Sequence, residues 1–253
     1  MTLSDEQLRQ FDEQGFVVLP GFLDADEVEL LRNETHALLR QDRPEVLRNV
    51  SGQPRAAFVM DRYSAPFARL LRHPAVIGVS RQILREPFYC HQYKIITKQP
   101  FGATNHPWHQ DYGTWSEIDG MPLPRAITIG IYLEEVTEFN GPLAFIPGSN
   151  KYGILAGVAE ERPGRKSKSV MLDTTALSEV FDRHGVVAPK GSPGTALVFD
   201  SLVVHGSAPN MSPSWRHIVY VSPNPVSNKL VNPTREEILA ARDFSPMDEL
   251  EAV

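Results

Sequence analysis

The chain has 253 residues, of which 42% are hydrophobic. This is enough for one substantial core and short for two independent enzymatic domains, so we predict a single domain over residues 1–253. The formal net charge of −6 argues against a basic surface for nucleic acid or an anionic membrane, and it leaves a small molecule as the expected partner. The sequence does not indicate an oligomeric state.

The start of the chain and its cysteine content favour a cytoplasmic protein. Residues 1–6 lack the positive start and the apolar stretch of a secretory signal, and no apolar run is long enough to cross a bilayer. Cys90 is the only cysteine, so no intramolecular disulfide forms, which suits a reducing compartment. The neighbours Phe88, Tyr89 and Tyr93 predict that Cys90 packs as a small buried residue.

Capping boxes and apolar periodicity predict helices in the first third of the chain. Ser4 with Gln7, and Asp24 with Glu27, match the pattern in which the N-cap and the third helical residue bond to each other's backbone. Pro74 suits the first turn of a helix. The predicted elements are a helix from 4 to 15, a strand at 16–19, a helix from 24 to about 41, and helical pieces at about 65–71 and 75–84.

From residue 88 onwards, short runs rich in β-branched and aromatic residues replace the helical periodicity. Because these strands follow the helices and do not alternate with them, we predict a mainly β fold with α, a sandwich or barrel with a helical layer. Helical support is expected over about 1–86, a β-barrel core over about 87–225 and a C-terminal tail over about 226–253. The predicted strands are 88–98, 126–133, 195–199, 202–205 and 216–222.

A polar, charged stretch at residues 160–169 lies between two β-rich halves of the chain. A loop of this length inside a compact domain is often functional, so one interpretation is a lid over the site. The other is a solvated loop without a role. The sequence does not decide whether residues about 151–170 form a lid.

The triplet His109-Gln110-Asp111 is the first part of a candidate metal site. On an extended chain, residues two apart project to the same side, so both outer side chains could reach one metal ion. Alone, the pair also fits a hydrogen-bonded surface histidine and a turn-forming aspartate. His205 ends an apolar β segment and supplies the second imidazole of a triad that leaves coordination positions open. Such a triad is typical of iron(II) oxygenases.

Other histidines compete for the third position. His184 and His217 are the nearest alternatives to His205. We rank His184 lower because it lies in a polar turn, and His217 lower because on a strand it would face away from its neighbour Arg216. His106 is expected to line the pocket and not to bind the metal.

Arg216 and Ser207 are candidate ligands for a carboxylate-bearing cosubstrate. The turn-rich stretch 208–213 can bring Arg216 back beside His205 on the next strand. A guanidinium fork matches the distal carboxylate of 2-oxoglutarate, and Ser207 lies on the same strand face as His205. Alone, each also fits an ordinary surface residue. Together with the triad they predict an oxygenase that uses Fe(II), 2-oxoglutarate and O₂.

Several separated motifs give the chain a resemblance to a known family. They are residues 108–115, 119–122, 140–143 with 147–149, and 205–207 with Arg216. In this order they resemble the phytanoyl-CoA dioxygenase family, and within it the ectoine hydroxylase and free leucine 5-hydroxylase branch, over about residues 8–235. The resemblance implies a double-stranded β-helix, a jelly-roll or cupin-like barrel. It also implies catalytic iron ligands at His109, Asp111 and His205, and 2-oxoglutarate ligands at Arg216 and Ser207.

The same resemblance implies further site residues. Gln92 matches a family glutamine that contacts the cosubstrate, although its pattern fits a solvent-facing strand residue equally well. Trp115 is implied to border the substrate pocket. Arg55 is implied to meet a substrate carboxylate, with a surface ion pair as the alternative. His106 stands where ectoine enzymes carry an aromatic residue that packs on the substrate.

This departure at His106 argues against ectoine, and the segment 136–142 is most similar to the leucine hydroxylase. We therefore expect hydroxylation of an unactivated C–H bond in a free amino acid or related zwitterion. Ectoine or another biosynthetic intermediate is the alternative substrate. Desaturation is an alternative outcome that would use the same metal ligands.

Two rival classes of function remain open. A non-catalytic metal- or ligand-binding barrel would keep the strands but would need neither Arg216 nor an open metal position. A zinc hydrolase could use the same histidines and carboxylate, but it gives no reason for an arginine that binds a second carboxylate. Metal-dependent uptake of O₂ distinguishes the three hypotheses.

Overall fold

The computed structural model describes residues 1–160 and 168–248. The α-helices are α1 Asp5–Gln14, α2 Ala25–Leu39, α3 Ala65–Leu71, α4 Pro74–Leu84, α5 Asp111–Glu117 and α6 Thr174–His184. The strands are β1 Phe16–Leu19, β2 Val46–Arg48, β3 Pro54–Phe58, β4 Phe88–Lys98, β5 His106–His109, β6 Ile127–Tyr132, β7 Leu143–Phe145, β8 Gly157–Glu160, β9 Ser169–Leu172, β10 Ala196–Asp200, β11 His205–Ser207 and β12 Arg216–Pro225.

Antiparallel strands build a larger and a smaller sheet. The larger sheet has seven strands in the order β1-β10-β6-β12-β4-β3-β2, and the smaller has three in the order β5-β11-β7. Strands β8 and β9 form a separate two-stranded sheet. This antiparallel arrangement agrees with the double-stranded β-helix expected for the sequence.

Strand alternation gives the larger sheet one face toward the helices and one toward the smaller sheet. On β12, Val219 and Val221 belong to the main apolar core, which also contains side chains of α2 and α4. Ile218 and Tyr220, which alternate with them, belong to a second cluster with Phe145 of β7. The larger sheet is therefore supported from behind by helices, and its other face is free to carry the site.

Local sequence explains where the first helices begin and end. Ser4 Oγ accepts a hydrogen bond from the Gln7 amide, and the Gln7 side chain accepts one from the Ser4 amide. Asp24 and Glu27 form the same reciprocal pair. Helix α1 ends at Gly15, whose φ of +81° lies in the left-handed region that favours glycine. The four predicted helices and the strand between the first two are confirmed.

The strand predictions hold except in one place. The run 88–98 is β4, and the predicted strands at 126–133, 195–199 and 216–222 differ from β6, β10 and β12 only at their ends. The prediction of a strand over 202–205 is wrong for residues 202–204. There Asp200 accepts hydrogen bonds from the Leu202 amide on its side chain and from the Val203 amide on its carbonyl, which makes a turn. Strand β11 begins only at His205.

Several short elements were not predicted. Strands β2 and β3 interrupt the region expected to be helical support and extend the edge of the larger sheet. Strands β5, β7, β8 and β9 and helices α5 and α6 were also missed. Strands β8 and β9 flank the polar stretch in which a lid was considered. Most of that stretch, residues 161–167, lies outside the described residues.

Cys90 packs against the main core, as its neighbours predicted, but it is half-buried and not fully buried. Burial raises the pKa of its thiol. No helix in the described ranges is both long and apolar enough to cross a membrane.

Candidate active site

The three candidate metal ligands come from the ends of two paired strands. His109 is the last residue of β5 and His205 the first of β11, and the two residues are register partners. Asp111 is the first residue of α5, so the expectation of a continuous strand through the triplet is wrong. Gln110 between them is extended, with φ −109° and ψ 131°. This extended residue keeps His109 and Asp111 on the same side.

The ligand atoms of these residues converge. Asp111 Oδ1 lies 3.6 Å from His109 Nε2 and 4.0 Å from His205 Nε2, and the three ligand atoms all lie within 4.8 Å of one another. The other ring nitrogens are occupied: His109 Nδ1 bonds to the Pro107 carbonyl at 2.8 Å and His205 Nδ1 to the Val203 carbonyl at 3.0 Å. Because a carbonyl only accepts, each Nδ1 carries the proton and each Nε2 presents a lone pair.

The charges of the cluster suit a divalent cation. Burial lowers the pKa of His205 to about 4, with a further contribution from His109, so its imidazole is neutral near pH 7. Burial opposes ionisation of Asp111, but its polar surroundings at His109, His205 and Lys94 together hold the pKa of its carboxyl well below the usual range. Thr128 Oγ1 donates to Asp111 Oδ2 at 3.3 Å, which leaves Oδ1 toward the histidines.

Gln110 fixes the turn between the two ligands, a role that the sequence analysis missed. Its side chain is buried and donates to the carbonyls of Gly153 at 2.8 Å and Leu202 at 2.6 Å, and it accepts from the Leu155 amide at 2.9 Å. The amide therefore ties the β5–α5 junction to two other segments. One of them, at Leu202, leads directly into His205. This bonding supports both halves of the cluster at once.

Arg216 lies in the same cavity, with its guanidinium only partly bonded. Its side chain is 1% exposed, and Nη2 donates to the Gly141 carbonyl at 3.1 Å. Its Nε and Nη1 are buried and have no hydrogen-bond partner among the described residues. Leaving such donors unsatisfied costs about 1–3 kcal/mol each. A carboxylate at either edge of the guanidinium would supply an acceptor for one of these donors. Ser207, two residues after His205 on β11, is also buried and lines this cavity.

The geometry of Gly141 explains the Asn-Gly-Pro-Leu motif of the sequence. Gly141 has φ +73°, and a Cβ there would lie 2.5 Å from the Ala208 carbonyl and 2.8 Å from Lys98 Cδ. Only glycine combines this backbone conformation with so close an approach. Its carbonyl is thereby presented to Arg216.

Gln92 lines the cavity, with both ends of its amide bonded. Its Nε2 donates to the Leu239 carbonyl, and its Oε1 accepts from Lys94 Nζ at 2.8 Å. It is 5% exposed, so the alternative of a solvent-facing strand residue is wrong. A contact of Gln92 with the cosubstrate stays a prediction.

The residues predicted to meet the substrate also line this cavity. Trp115 is almost fully buried in α5 and packs edge-on against His91, with ring centroids 4.9 Å apart. Arg55 reaches the cavity from β3, and His106 from β5. The structure brings these three residues together with the metal cluster. Their contacts with a substrate stay predictions.

The part of the chain expected to be a tail also contributes to the wall. Arg235 and Leu239 line the cavity. Arg235 donates through Nε and Nη2 to the two carboxylate oxygens of Asp119, which is completely buried. Next to it, Gly120 has φ +70°, and a Cβ there would collide with the Val231 carbonyl at 1.9 Å. The motif at 119–122 was a signal for this docking, but its partner could not be identified from the sequence.

The competing histidines lie elsewhere. His184 ends α6, and its Nε2 bonds to the Tyr152 hydroxyl at 2.8 Å. His217 is on the opposite side of β12 from Arg216, where it borders a different groove. Neither is in the cluster formed by His109, Asp111 and His205.

These residues fit the two groups that the sequence predicted. Two neutral imidazole nitrogens and one carboxylate oxygen form the donor set of mononuclear non-haem iron sites. The buried donors of Arg216 fit a carboxylate of 2-oxoglutarate. The barrel and this donor set together define the class of metal-dependent oxygenases built on a double-stranded β-helix.

Comparisons with known proteins show which family within this class the chain resembles. The model of the phytanoyl-CoA dioxygenase (PhyH) family matches residues 11–218. The chain is 35% identical to the L-proline trans-4-hydroxylase of Streptomyces griseoviridis, over 99% of this chain and 97% of that protein. It is 37% identical to the ectoine dioxygenase of Halomonas elongata, over 91% of this chain and 73% of that protein.

The crystal structure of EctD from S. alaskensis with bound Fe matches with a TM-score of 0.86 at 32% identity, covering 98% of this chain and 87% of that one. A structure of the same protein with 2-oxoglutarate and 5-hydroxyectoine gives a TM-score of 0.83. The chain belongs to the phytanoyl-CoA dioxygenase family and is an Fe(II)- and 2-oxoglutarate-dependent dioxygenase. The predicted family, fold class, cofactors and enzyme class are confirmed. The roles of individual residues stay predictions.

Proposed function

We propose that this enzyme hydroxylates a C–H bond of a small carboxylate-bearing zwitterion, in the first place a free amino acid. The observation that carries the proposal is one cavity with three parts. The triad of His109, Asp111 and His205 lies in it, Arg216 offers two buried unbonded donors, and further basic side chains line the remainder. The first two parts serve the metal and the cosubstrate. The third part is available to the substrate.

His109, Asp111 and His205 would hold iron(II) through Nε2, Oδ1 and Nε2. Iron bound by three protein ligands keeps positions open for 2-oxoglutarate and O₂ and supplies the oxidising power for an unactivated C–H bond. The protein contributes a fixed donor geometry, because the Nδ1 hydrogen bonds of both histidines and the Thr128 contact of Asp111 hold each ligand in one orientation.

Arg216 and Ser207 would bind the distal carboxylate of 2-oxoglutarate. The guanidinium is already held by the Gly141 carbonyl, so little side-chain entropy is lost when the carboxylate binds. Gln92 is proposed as a further contact. In this arrangement the cosubstrate would be held between Arg216 and the metal cluster, and oxidation to succinate and CO₂ would be coupled to substrate hydroxylation.

The charge of the cavity supports a carboxylate-bearing substrate. Among the described lining residues, the basic side chains are Arg55, Lys94, Arg216 and Arg235, whereas the one acidic side chain is Asp111. Asp111 is assigned to the metal and Arg216 to the cosubstrate. Arg235 already binds the carboxylate of Asp119. Arg55 is therefore the proposed partner of the substrate carboxylate, while Trp115 supplies an apolar wall.

The relatives agree with a small substrate of this kind. One is an L-proline trans-4-hydroxylase and another an ectoine dioxygenase. We favour a free amino acid because His106 is a poor replacement for an apolar packing surface and because the proline enzyme matches nearly the whole chain. Ectoine is the second candidate on the strength of the ectoine dioxygenase match. A cytoplasmic location stays a prediction from the single cysteine.

The test is an assay of succinate formation and substrate mass. Protein prepared without O₂ receives Fe(II), 2-oxoglutarate and one substrate from a panel of L-proline, L-leucine, other free amino acids and ectoine, and air is then admitted. We expect one substrate to gain one oxygen atom, with an equal amount of succinate. Hydrolysis products without succinate would support the zinc hydrolase instead. Absence of both 2-oxoglutarate binding and succinate would support the non-catalytic barrel.

A further inference from the structure

A second group of histidine and carboxylate side chains lies on the other side of strand β12. Residues 216 and 217 project to opposite faces of the strand. Arg216 therefore lines the catalytic cavity, while His217 packs under α2 beside His36. Glu134, just after β6, completes the group. We call His36, Glu134 and His217 the outer cluster.

Several buried polar atoms of the outer cluster have no hydrogen-bond partner among the described residues. His217 is 1% exposed, yet neither ring nitrogen has a hydrogen-bond partner within the described part of the chain. The same holds for Glu134 Oε1, whereas Glu134 Oε2 accepts from the His217 amide at 2.6 Å. Buried imidazole and carboxylate groups without partners are rare in folded proteins. A ligand between them would satisfy several at once.

The geometry of the outer cluster resembles that of the catalytic one. One ligand atom from each of its residues lies within 4.8 Å of the others, and His217 Nε2 is 3.9 Å from Glu134 Oε1. The corresponding distances from Asp111 in the catalytic cluster are 3.6 and 4.0 Å. Tetrahedral zinc with nitrogen and oxygen ligands places these atoms roughly 3.3–3.5 Å apart. To close around such an ion, His217 Nε2 and Glu134 Oε1 would approach each other by about half an ångström, and the ligand atom of His36 would move by up to about 1.5 Å.

We propose that His36, Glu134 and His217 form a second transition-metal site, of the class that binds zinc, on the outer face of β12. Two imidazoles and one carboxylate are a zinc donor set. The fourth position would face the groove lined by Pro54 and Trp215 and would be filled by water.

Nearby arginines limit the affinity and the kind of ion. Arg40 and Arg48 line the same groove, and the charges of Arg40 and Arg32 add to burial in lowering the pKa of His36. Positive charge weakens the binding of any dication. The outer cluster offers two imidazoles and one carboxylate. It therefore suits an ion with high intrinsic affinity for imidazole better than Mg²⁺ or Ca²⁺, which rely on several oxygen ligands.

Occupation of the outer cluster would join three separate elements. His36 belongs to α2, Glu134 follows β6 and His217 is on β12. A metal held by all three would tie the helical layer to the two strands behind Arg216. Because an ion that binds the folded chain and not the unfolded chain stabilises the fold, zinc should raise the melting temperature.

The test is a zinc titration of the full chain after two residues of the catalytic cluster have been replaced. The protein carries His109→Ala with Asp111→Ala, is stripped of metal, and is titrated with Zn²⁺ by calorimetry, with fluorescence of Trp215 as a second signal. Trp215 stacks on His217 with ring centroids 5.6 Å apart. We expect one zinc ion per chain and a rise in melting temperature.

Adding Glu134→Gln or His36→Ala to that protein should weaken zinc binding at least about tenfold, since even outer-sphere changes at metal sites have effects of that size. Glu134→Gln keeps the shape of the side chain and an acceptor for the His217 amide, and circular dichroism verifies folding. His184→Ala, a histidine outside both clusters, is the control and should leave binding unchanged. The proposal would be overturned if the protein with only the two catalytic substitutions bound no zinc. It would also be overturned if that protein bound zinc equally well after Glu134→Gln or His36→Ala was added.

Discussion

His109 and His205 face each other across the antiparallel pair β5–β11, with their ring centroids 4.3 Å apart. Each ring is held through Nδ1 by the carbonyl of the residue two positions before it. The same short-range bond thus orients both imidazoles, and Asp111 lies against both Nε2 atoms. The candidate metal site is built by strand pairing, and we expect it to exist before any metal binds.

Asp111→Ala should reduce succinate formation and substrate hydroxylation to background. The change removes the one carboxylate among the three candidate ligands and leaves the two-histidine, one-carboxylate donor set of non-haem iron sites incomplete. The measurement is coupled succinate and product formation with saturating Fe(II). Asp26→Ala, at an exposed position of α2 outside the cavity, controls for loss of a carboxylate as such. Full activity of the Asp111 variant would remove Asp111 from the proposed ligands.

Gln110→Leu should lower iron affinity or activity by about 10–100-fold, although Gln110 touches neither the metal nor a substrate. The three hydrogen bonds lost hold the junction between His109 and Asp111. The measurement is the Fe(II) concentration that gives half-maximal activity. If the cause is positioning, Gln110→Glu at low pH should recover part of the affinity. An unchanged iron requirement in the leucine variant would contradict this role.

Arg216→Lys should raise the KM for 2-oxoglutarate about tenfold or more. Lysine keeps the charge but loses the planar fork that can meet a carboxylate through two parallel bonds. The assay varies 2-oxoglutarate at saturating substrate. Arg125→Lys, which changes an arginine that forms a salt bridge with Glu86 at the surface, is the matched control. A change in the KM for the substrate alone would reassign Arg216 to substrate binding.

Gly141→Ala should lower the free energy of unfolding by about 1–3 kcal/mol, because alanine would adopt a strained φ and press on the Ala208 carbonyl. It should also raise the KM for 2-oxoglutarate, since the Gly141 carbonyl holds Arg216. Urea unfolding and the steady-state assay measure the two effects. Gly52→Ala is the control, because Gly52 has a similar φ of +76° with no atom within 4 Å of the added Cβ. The KM of the Gly52→Ala variant for 2-oxoglutarate should not change.

The stability of the Asp200→Asn variant, relative to that of the unsubstituted protein, should increase as the pH rises from about 4 to 7. Burial raises the pKa of Asp200 to about 6, so between its unfolded and folded pKa values the folded protein binds the proton and the unfolded chain does not. The stabilisation from this group is therefore present at low pH and is lost as the pH rises through 6. Melting temperatures of both proteins across this range measure the effect. Asp26→Asn at an exposed position controls for the substitution itself, and a constant difference would contradict the assignment.

The parts of the fold that could be predicted are those with local causes. Each reciprocal cap joins residues three apart in the sequence, Ser4 with Gln7 and Asp24 with Glu27. The strand over 88–98 is long and rich in aromatic and β-branched residues. Helix α5 has no such signal. It contains Gly113, and its position depends on the hydrogen bonds of Gln110 to distant segments. The turn at 202–204 has a local cause in the side chain of Asp200, but the apolar run that follows favoured a strand and this signal was missed.

The candidate site also combines features that the sequence indicates with features that depend on distant residues. The triad, Arg216 and Ser207 could be recognised because their residue types suit a known chemistry, and the structure brings them together. Arg235 could not be recognised, because nothing near it in the sequence indicates its partner Asp119. From the sequence, His217 was considered only as a rival of His205 for the third metal ligand. Its unbonded ring nitrogens and its proximity to Glu134 are visible only in the folded chain.

The most direct test of the central claim is a reaction under isotopically labelled O₂ with the best substrate of the panel. A dioxygenase that oxidises 2-oxoglutarate places one labelled oxygen atom in succinate for each substrate molecule hydroxylated. We expect that label in succinate, in amounts equal to the product, and its loss in Asp111→Ala. Unlabelled succinate, or product whose formation does not depend on O₂, would contradict the assignment of this cavity as the site of a 2-oxoglutarate-dependent hydroxylase.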